Sequence, residues 1–313
     1  MRRAAVIFAA AVALAGGFSA VARAQSAASE PEANLQEADG IVVIGSRDRR
    51  DPVSAFVEEV TVETGDQIAT FATPICPVSL GLPPGQGEVI EARVRQIAQH
   101  LGLGASAGDC RPNIVVIVAE QGSDFVRQFR RERPGLFAAL RISELRGIMR
   151  QAGPVRTWQI VEPRGADGRP MERIAFIESP NGPPRPVANG YQLTGVMPSL
   201  TSRPTRQDLS ISFIVFDLTA IEGLTLLQIA DHAAMRALAR TEAEELPARR
   251  SILTLFGDRN AGAEPVPELT NWDSAYLRAL YRTSNVVTAH QQRSNMARTM
   301  RRELAHPRDG GRF

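Results

Sequence analysis

Hydrophobic positions along this chain change period from segment to segment, and the changes lay out an alternation of strands and helices. Residues 209–218 (LSISFIVFDL) are apolar almost throughout, as in a strand covered on both faces. Gly223 offers a turn. Thr225 and Gln228 then stand at capping-box spacing, with Leu224 and Ile229 placed as a hydrophobic staple. Leu227, Ala230, Ala234 and Leu238 recur at helical intervals, and the alanines permit close approach to a sheet. Residues 113–119 (NIVVIVA) predict a second central strand, and residues 88–101 a helix with an apolar stripe opposite its arginines. Further helices are expected at 122–133, where Phe125 and Phe129 are four apart and Pro134 marks the stop, and at 142–151. Strands are expected at 55–64, 155–161 and 173–178, with an edge strand at 191–196. The proline-rich stretches 74–87 and 179–189 read as connections. A short buried element at 251–256 follows the Glu/Pro-rich break at 242–247. Thr270 and Asp273 start a helix that buries Trp272, Ala275, Tyr276, Ala279 and Leu280, and an arginine-rich helix closes the chain from about 286 to 304.

This order predicts an α+β fold: a mixed, mostly central sheet flanked by helices, with a helical C-terminal part. The 313 residues suffice for one large domain or two modest ones. We read 41–306 as a single α+β domain with a possible sub-boundary near 151, behind a disordered linker at 25–40 and ahead of a flexible tail at 307–313.

Composition changes the picture in three places. All 36 basic residues are arginine, so Schiff-base and P-loop lysine chemistry are excluded. Residues 1–24 have the form of a secretory signal: Arg2 and Arg3, an apolar stretch, and Ala22 and Ala24 before the cleavage point. Removing them leaves 33 basic against 34 acidic residues, which withdraws the main support for nucleic-acid binding. The two cysteines, Cys76 and Cys110, then face an oxidising compartment and are expected to bond, closing a loop of about 34 residues that adds about 3–4 kcal/mol.

Candidate chemistry is thin. Gly104, Ser106 and Gly108 match G-x-S-x-G, but a helix precedes them where a nucleophile elbow needs a strand. Arg127, Arg130, Arg131 and Arg133 form a basic group that Asp124 and Glu132 dilute into a solvated face. His232 sits on the helix after the central strand and is the one candidate catalytic residue. The run from Gly40 through Ile41, Val42, Val43, Ile44 and Gly45 to Arg47 resembles a TonB box, which implies strand addition to an envelope partner.

From residue 209 to 281 the order of elements also resembles the zincin metallopeptidases. It is similar, too, to a group of uncharacterised secreted proteobacterial proteins that carry an L-T-x-x-D-x-x-x-L-x-x-L-Y pattern. Leu269, Thr270, Asp273, Leu277, Leu280 and Tyr281 supply that pattern here. In a zinc peptidase His232 would open H-E-x-x-H, yet Ala233 stands at the glutamate and Arg236 at the second histidine. No metal or other cofactor is therefore expected. The reading the sequence favours is an exported, periplasmic or secreted, non-enzymatic envelope protein that binds a partner or ligand. The alternative is a hydrolase of zincin-like architecture with a non-standard active site.

Overall fold

A computed structural model describes residues 51–306, except 107–109, 139, 180–181, 193–198, 200–201, 243–245, 248, 261 and 263. The signal segment 1–24, the linker 25–40, the Ile41–Gly45 segment and the tail 307–313 lie outside the described residues, as does Gly108 of the G-x-S-x-G match.

The central sheet has the order β1-β2-β6-β3. Strands β1 (Pro77–Leu80), β2 (Ile114–Ala119) and β6 (Thr205–Asp217) run parallel, and β3 (Val155–Gly165) pairs antiparallel with β6 at one edge. A separate hairpin joins β4 (Glu172–Ser179) to β5 (Gly182–Gln192). The sheet is mixed and helices cover both of its faces, so the chain is α+β.

Side-chain alternation along the strands divides the interior. Ile114, Val116, Val118, Ile214 and Phe216 face a large aliphatic core. That core also holds α2 (Pro84–His100) and α6 (Leu226–Leu238). Ile117, Phe213, Val215, Trp158 and Ile160 face a smaller aromatic core with α3 (Gly122–Glu132), a 3-10 turn at Pro134–Phe137 and α4 (Ile142–Arg150). There Trp158 stacks on Phe213 at 4.6 Å and on Phe137 at 5.2 Å. The aliphatic core also takes in residues of a short helix α5 (Leu218–Ile221), of α7 (Leu255–Asn260), of α8 (Asn271–Arg282) and of α9 (Ala289–Ala305). Against α9 packs α1 (Pro52–Val60).

Three expectations from the sequence are corrected. Residues 55–64 were expected as a strand, yet 52–60 form α1. Asp51 caps it by accepting from the Ser54 amide at 2.9 Å, Pro52 occupies the first turn, and Val53, Phe56, Val57 and Val60 share one buried face. The apolar spacing there is helical once Val53 is counted. The expected connection at 74–87 holds β1, a four-residue edge strand opened by Pro77, and α2 begins at Pro84. The expected connection at 179–189 is mostly β5, a proline-rich strand tolerated because the hairpin has only two strands and its register slips twice. Residues 191–192 of the expected edge strand end β5, and 193–196 lie outside the described residues.

Cys76 and Cys110 form the disulfide, with their Cα atoms 6.1 Å apart, and tie the start of β1 to the approach to β2.

Candidate functional site

Helix α6 organises the candidate site. Thr225 accepts from the Gln228 amide at 3.1 Å while Gln228 Oε1 accepts from the Thr225 amide at 2.9 Å, the reciprocal cap the spacing predicts. Ala230, Ala233, Ala234 and Ala237 are fully buried, which lets the helix lie close on the sheet. Its C-terminal carbonyls would be orphans in that interior. Gln159 Nε2 donates to the Arg236 carbonyl at 2.8 Å, Ser212 Oγ to that of Ala237 at 2.8 Å, and Tyr281 OH to that of Leu238 at 2.7 Å. Gln159 and Ser212 are cross-strand partners, so one polar pair of the sheet terminates the helix.

One side of α6 is clasped by its neighbours. Asp231 is fully buried and receives Arg93 of α2 through Nε at 2.6 Å and Nη2 at 3.3 Å, together with the Leu269 amide at 2.7 Å. Asp273, the third residue of α8, is equally buried. It accepts from Ser251 Oγ at 2.5 Å, the Ile252 amide at 2.8 Å, and the Thr270 amide and hydroxyl at 2.9 Å each. Burial outweighs those donors and pushes its carboxyl up to about 6. The L-T-x-x-D-x-x-x-L-x-x-L-Y pattern is thus explained mechanically. The Leu269 amide, Asp273 and Tyr281 hydroxyl latch α8 to its surroundings, and Leu277 and Leu280 fill the core between them.

His232 lies within this clasped region. It is 1% exposed, with its ring edge-on to Phe256 at 5.0 Å and to Phe216 at 5.7 Å. Its Nδ1 has no hydrogen-bond partner among the described residues. Burial, helped by the nearby charge of Arg236, holds the imidazole well below 6.5, so it is neutral at neutral pH. Among the described residues no group of three or more His, Cys, Asp or Glu gathers as a metal site requires. Ser106 belongs to an extended segment paired with Ile75, its amide donating to the Ile75 carbonyl at 3.1 Å, and it is not set on a strand-to-helix turn. The α3 arginines line a surface hollow with Pro134 and Met149, and Arg127 is ion-paired with Asp124 there.

Arg236, one turn beyond His232, lines a cleft of about 510 Å³. One bank is α4 and its end, with Glu144, Ile148 and Gln151. The floor is the outer edge of β3 from Val155 to Gln159, and the other bank is Val62 with Arg236, Arg240, Thr241 and Glu242. A second hollow of about 550 Å³ shares Leu140, Glu144 and Gln159 with the first and continues past Val161 and Pro163 to Tyr191 of β5. Together they make a groove along β3 from Val155 to Pro163, about 26 Å at about 3.3 Å per strand residue. Arg240 of one bank and Glu144 of the other are 3.6 Å apart across this groove.

The chemistry of the floor is that of a free strand edge. The Gln151 side chain accepts from the Thr157 amide at 2.9 Å and donates to the Thr157 carbonyl at 3.0 Å, so Thr157 presents its main chain outward, away from β6. Gln159, two residues on and before the bulge at Ile160/Val161, presents its main chain on the same side, where no partner among the described residues meets it. Beside it the Arg236 guanidinium donates through Nη1 to the Thr241 carbonyl at 2.6 Å and more weakly to its hydroxyl at 3.5 Å. Its Nε is enclosed and unpartnered, and no carboxylate among the described residues lies within ion-pair distance. Desolvation brings Arg236 down to about 10, partly offset by Glu242.

The sequence reading named Arg236 only as a departure from a metal motif. Gln151 and Gln159 had no signal, because a lone amide in an edge strand follows no period. Comparison with protein-family models, with curated proteins and with solved structures returns no match.

Proposed function

We propose that the chain is an exported, non-enzymatic envelope protein that binds an extended segment of a partner along the outer edge of β3. The observation that carries this reading is the outer edge of β3, which no described main chain pairs at Gln159 and Val161. It lies at the bottom of a groove, between two banks, and is capped at Thr157 by one displaceable side chain. An added strand would exchange main-chain hydrogen bonds with the edge at Gln159 and Val161, while the groove walls select alternate side chains. A long edge left in a groove is protected from indiscriminate pairing by its banks, which is how an edge can be kept for one partner. The Cys76–Cys110 bond suits an oxidising compartment. His232, which a hydrolase reading would need at the groove, is buried between phenylalanines.

The test is titration with an alternating threonine–valine heptapeptide, capped at both ends, read by Trp158 fluorescence in a Trp272→Phe variant. Saturable binding that disappears when alternate peptide amides are N-methylated supports strand addition. Binding indifferent to N-methylation, absence of binding, or turnover of the peptide would overturn it, the last in favour of hydrolysis.

A further inference from the structure

We infer that the groove is a carboxylate reader: the extended segment it takes carries an acidic side chain, which the Arg236 guanidinium receives beside Gln159. This rests on the strand-addition reading and names the chemistry of the ligand.

An arginine placed partly inside a protein normally has a carboxylate or a full set of acceptors, since an unpaired desolvated charge is costly. Arg236 has neither. Of its five N–H donors the described residues engage Nη1 alone, on Thr241. Its neighbours are otherwise committed. Arg240 faces Glu144 at 3.6 Å and donates to Thr64 Oγ1, and Gln151 is held on Thr157. Glu242 is exposed at the rim, close enough to temper the charge but outside ion-pair distance. The remaining titratable neighbour, His232, is neutral. Among the described residues Arg236 is therefore a desolvated groove cation without a counter-ion, at the point where the strand edge is open. A carboxylate is planar and can take two parallel N–H bonds from a guanidinium, so charge and geometry complement each other.

The Arg240–Glu144 pair adds a second element. It joins the two banks over the shared part of the groove, so a bound segment must pass beneath it or replace it. A ligand carboxylate competes with Glu144 for the arginines, and Glu144 thereby sets a threshold for entry.

The experiment uses a set of capped threonine–valine heptapeptides in which a single glutamate, or a single glutamine, is walked through each position. In fluorescence titration the best glutamate peptide is expected to bind at least tenfold more tightly than its glutamine counterpart, with the advantage shrinking as salt rises. Arg236→Met should remove that preference, read as the ratio of glutamate to glutamine peptide affinities in the same variant. Arg236→Lys should restore part of it, because an ammonium supplies charge without the fork. Glu144→Gln should tighten the glutamate peptide severalfold. Equal affinity of glutamate and glutamine peptides, or a preference that survives Arg236→Met, would overturn the carboxylate reader and leave strand addition standing. If no peptide of the set binds, both fall. Thermal melting of each variant separates loss of binding from loss of fold.

Discussion

The two sides of α6 use charge in opposite ways. On the clasped side Asp231 and Asp273 are fully enclosed and every contact they make is architectural: Arg93, the Leu269 and Ile252 amides, Ser251 and Thr270. On the groove side Arg236 is held by one residue, Thr241, and lines the cleft with no counter-ion among the described residues. Both sides contain groups whose ionisation burial disfavours. The difference lies in satisfaction: saturated polar groups fix helices against one another, and an unsaturated one leaves something for a ligand to complete.

That contrast can be broken most forcefully at Asp231. Asp231→Ala would strand the Arg93 charge and the Leu269 amide in the interior, and is expected to lower unfolding free energy by about 3–5 kcal/mol in denaturant titration. Peptide affinity of the molecules that remain folded should not change. A loss below 1 kcal/mol would mean the clasp is not the fold's ionic anchor.

At Asp273 the contrast appears as a pH dependence. Its carboxyl titrates at about 6 when folded against an ordinary 3.8, so the folded state binds the extra proton. The contribution to stability is fully present below about pH 4 and is lost as pH rises through about 6, at most about 3 kcal/mol for a shift of about two units. His232 has the opposite sign. Its folded form resists protonation, so stability is lost as pH falls below 6.5. The two slopes oppose each other in wild type. The difference in unfolding free energy between wild type and Asp273→Asn, followed from pH 4 to 7, isolates the aspartate and should fall steadily. A flat difference would mean that the Asp273 carboxyl titrates in its ordinary range.

The smallest expected effect on stability is at the groove. Arg236→Met removes an unpaired desolvated charge and keeps most of the side-chain volume, so unfolding free energy should change by less than about 1 kcal/mol, or rise. A loss comparable to that of Asp231→Ala would place Arg236 with the clasp and dissolve the contrast.

Much of the clasp was legible in the sequence. The Thr225/Gln228 and Thr270/Asp273 boxes, the alanine face of α6 and the Trp272–Leu280 face of α8 all rest on local spacing, and local spacing persists in the fold. Helix α1 was misread because a window opening at Ala55 hides Val53 and the Asp51 cap. The groove was not legible. Its residues come from 62–65, 140–163, 191, 207 and 236–242, and nothing local marks them as neighbours.

By itself the sequence determined the capped starts of α6 and α8, the apolar faces of those helices, that lysine chemistry is excluded, and that Cys76 and Cys110 are the only cysteines available to each other. These follow from backbone preferences and periodicity, which act over a few residues, and from composition. Only the tertiary structure decided that β3 lies antiparallel at the sheet edge, that His232 is enclosed by Phe216 and Phe256, and that Arg236 lies one turn later beside a strand edge that no described main chain pairs. Burial and satisfaction are properties of what surrounds a side chain, and for these residues the surroundings arrive from segments far away along the chain.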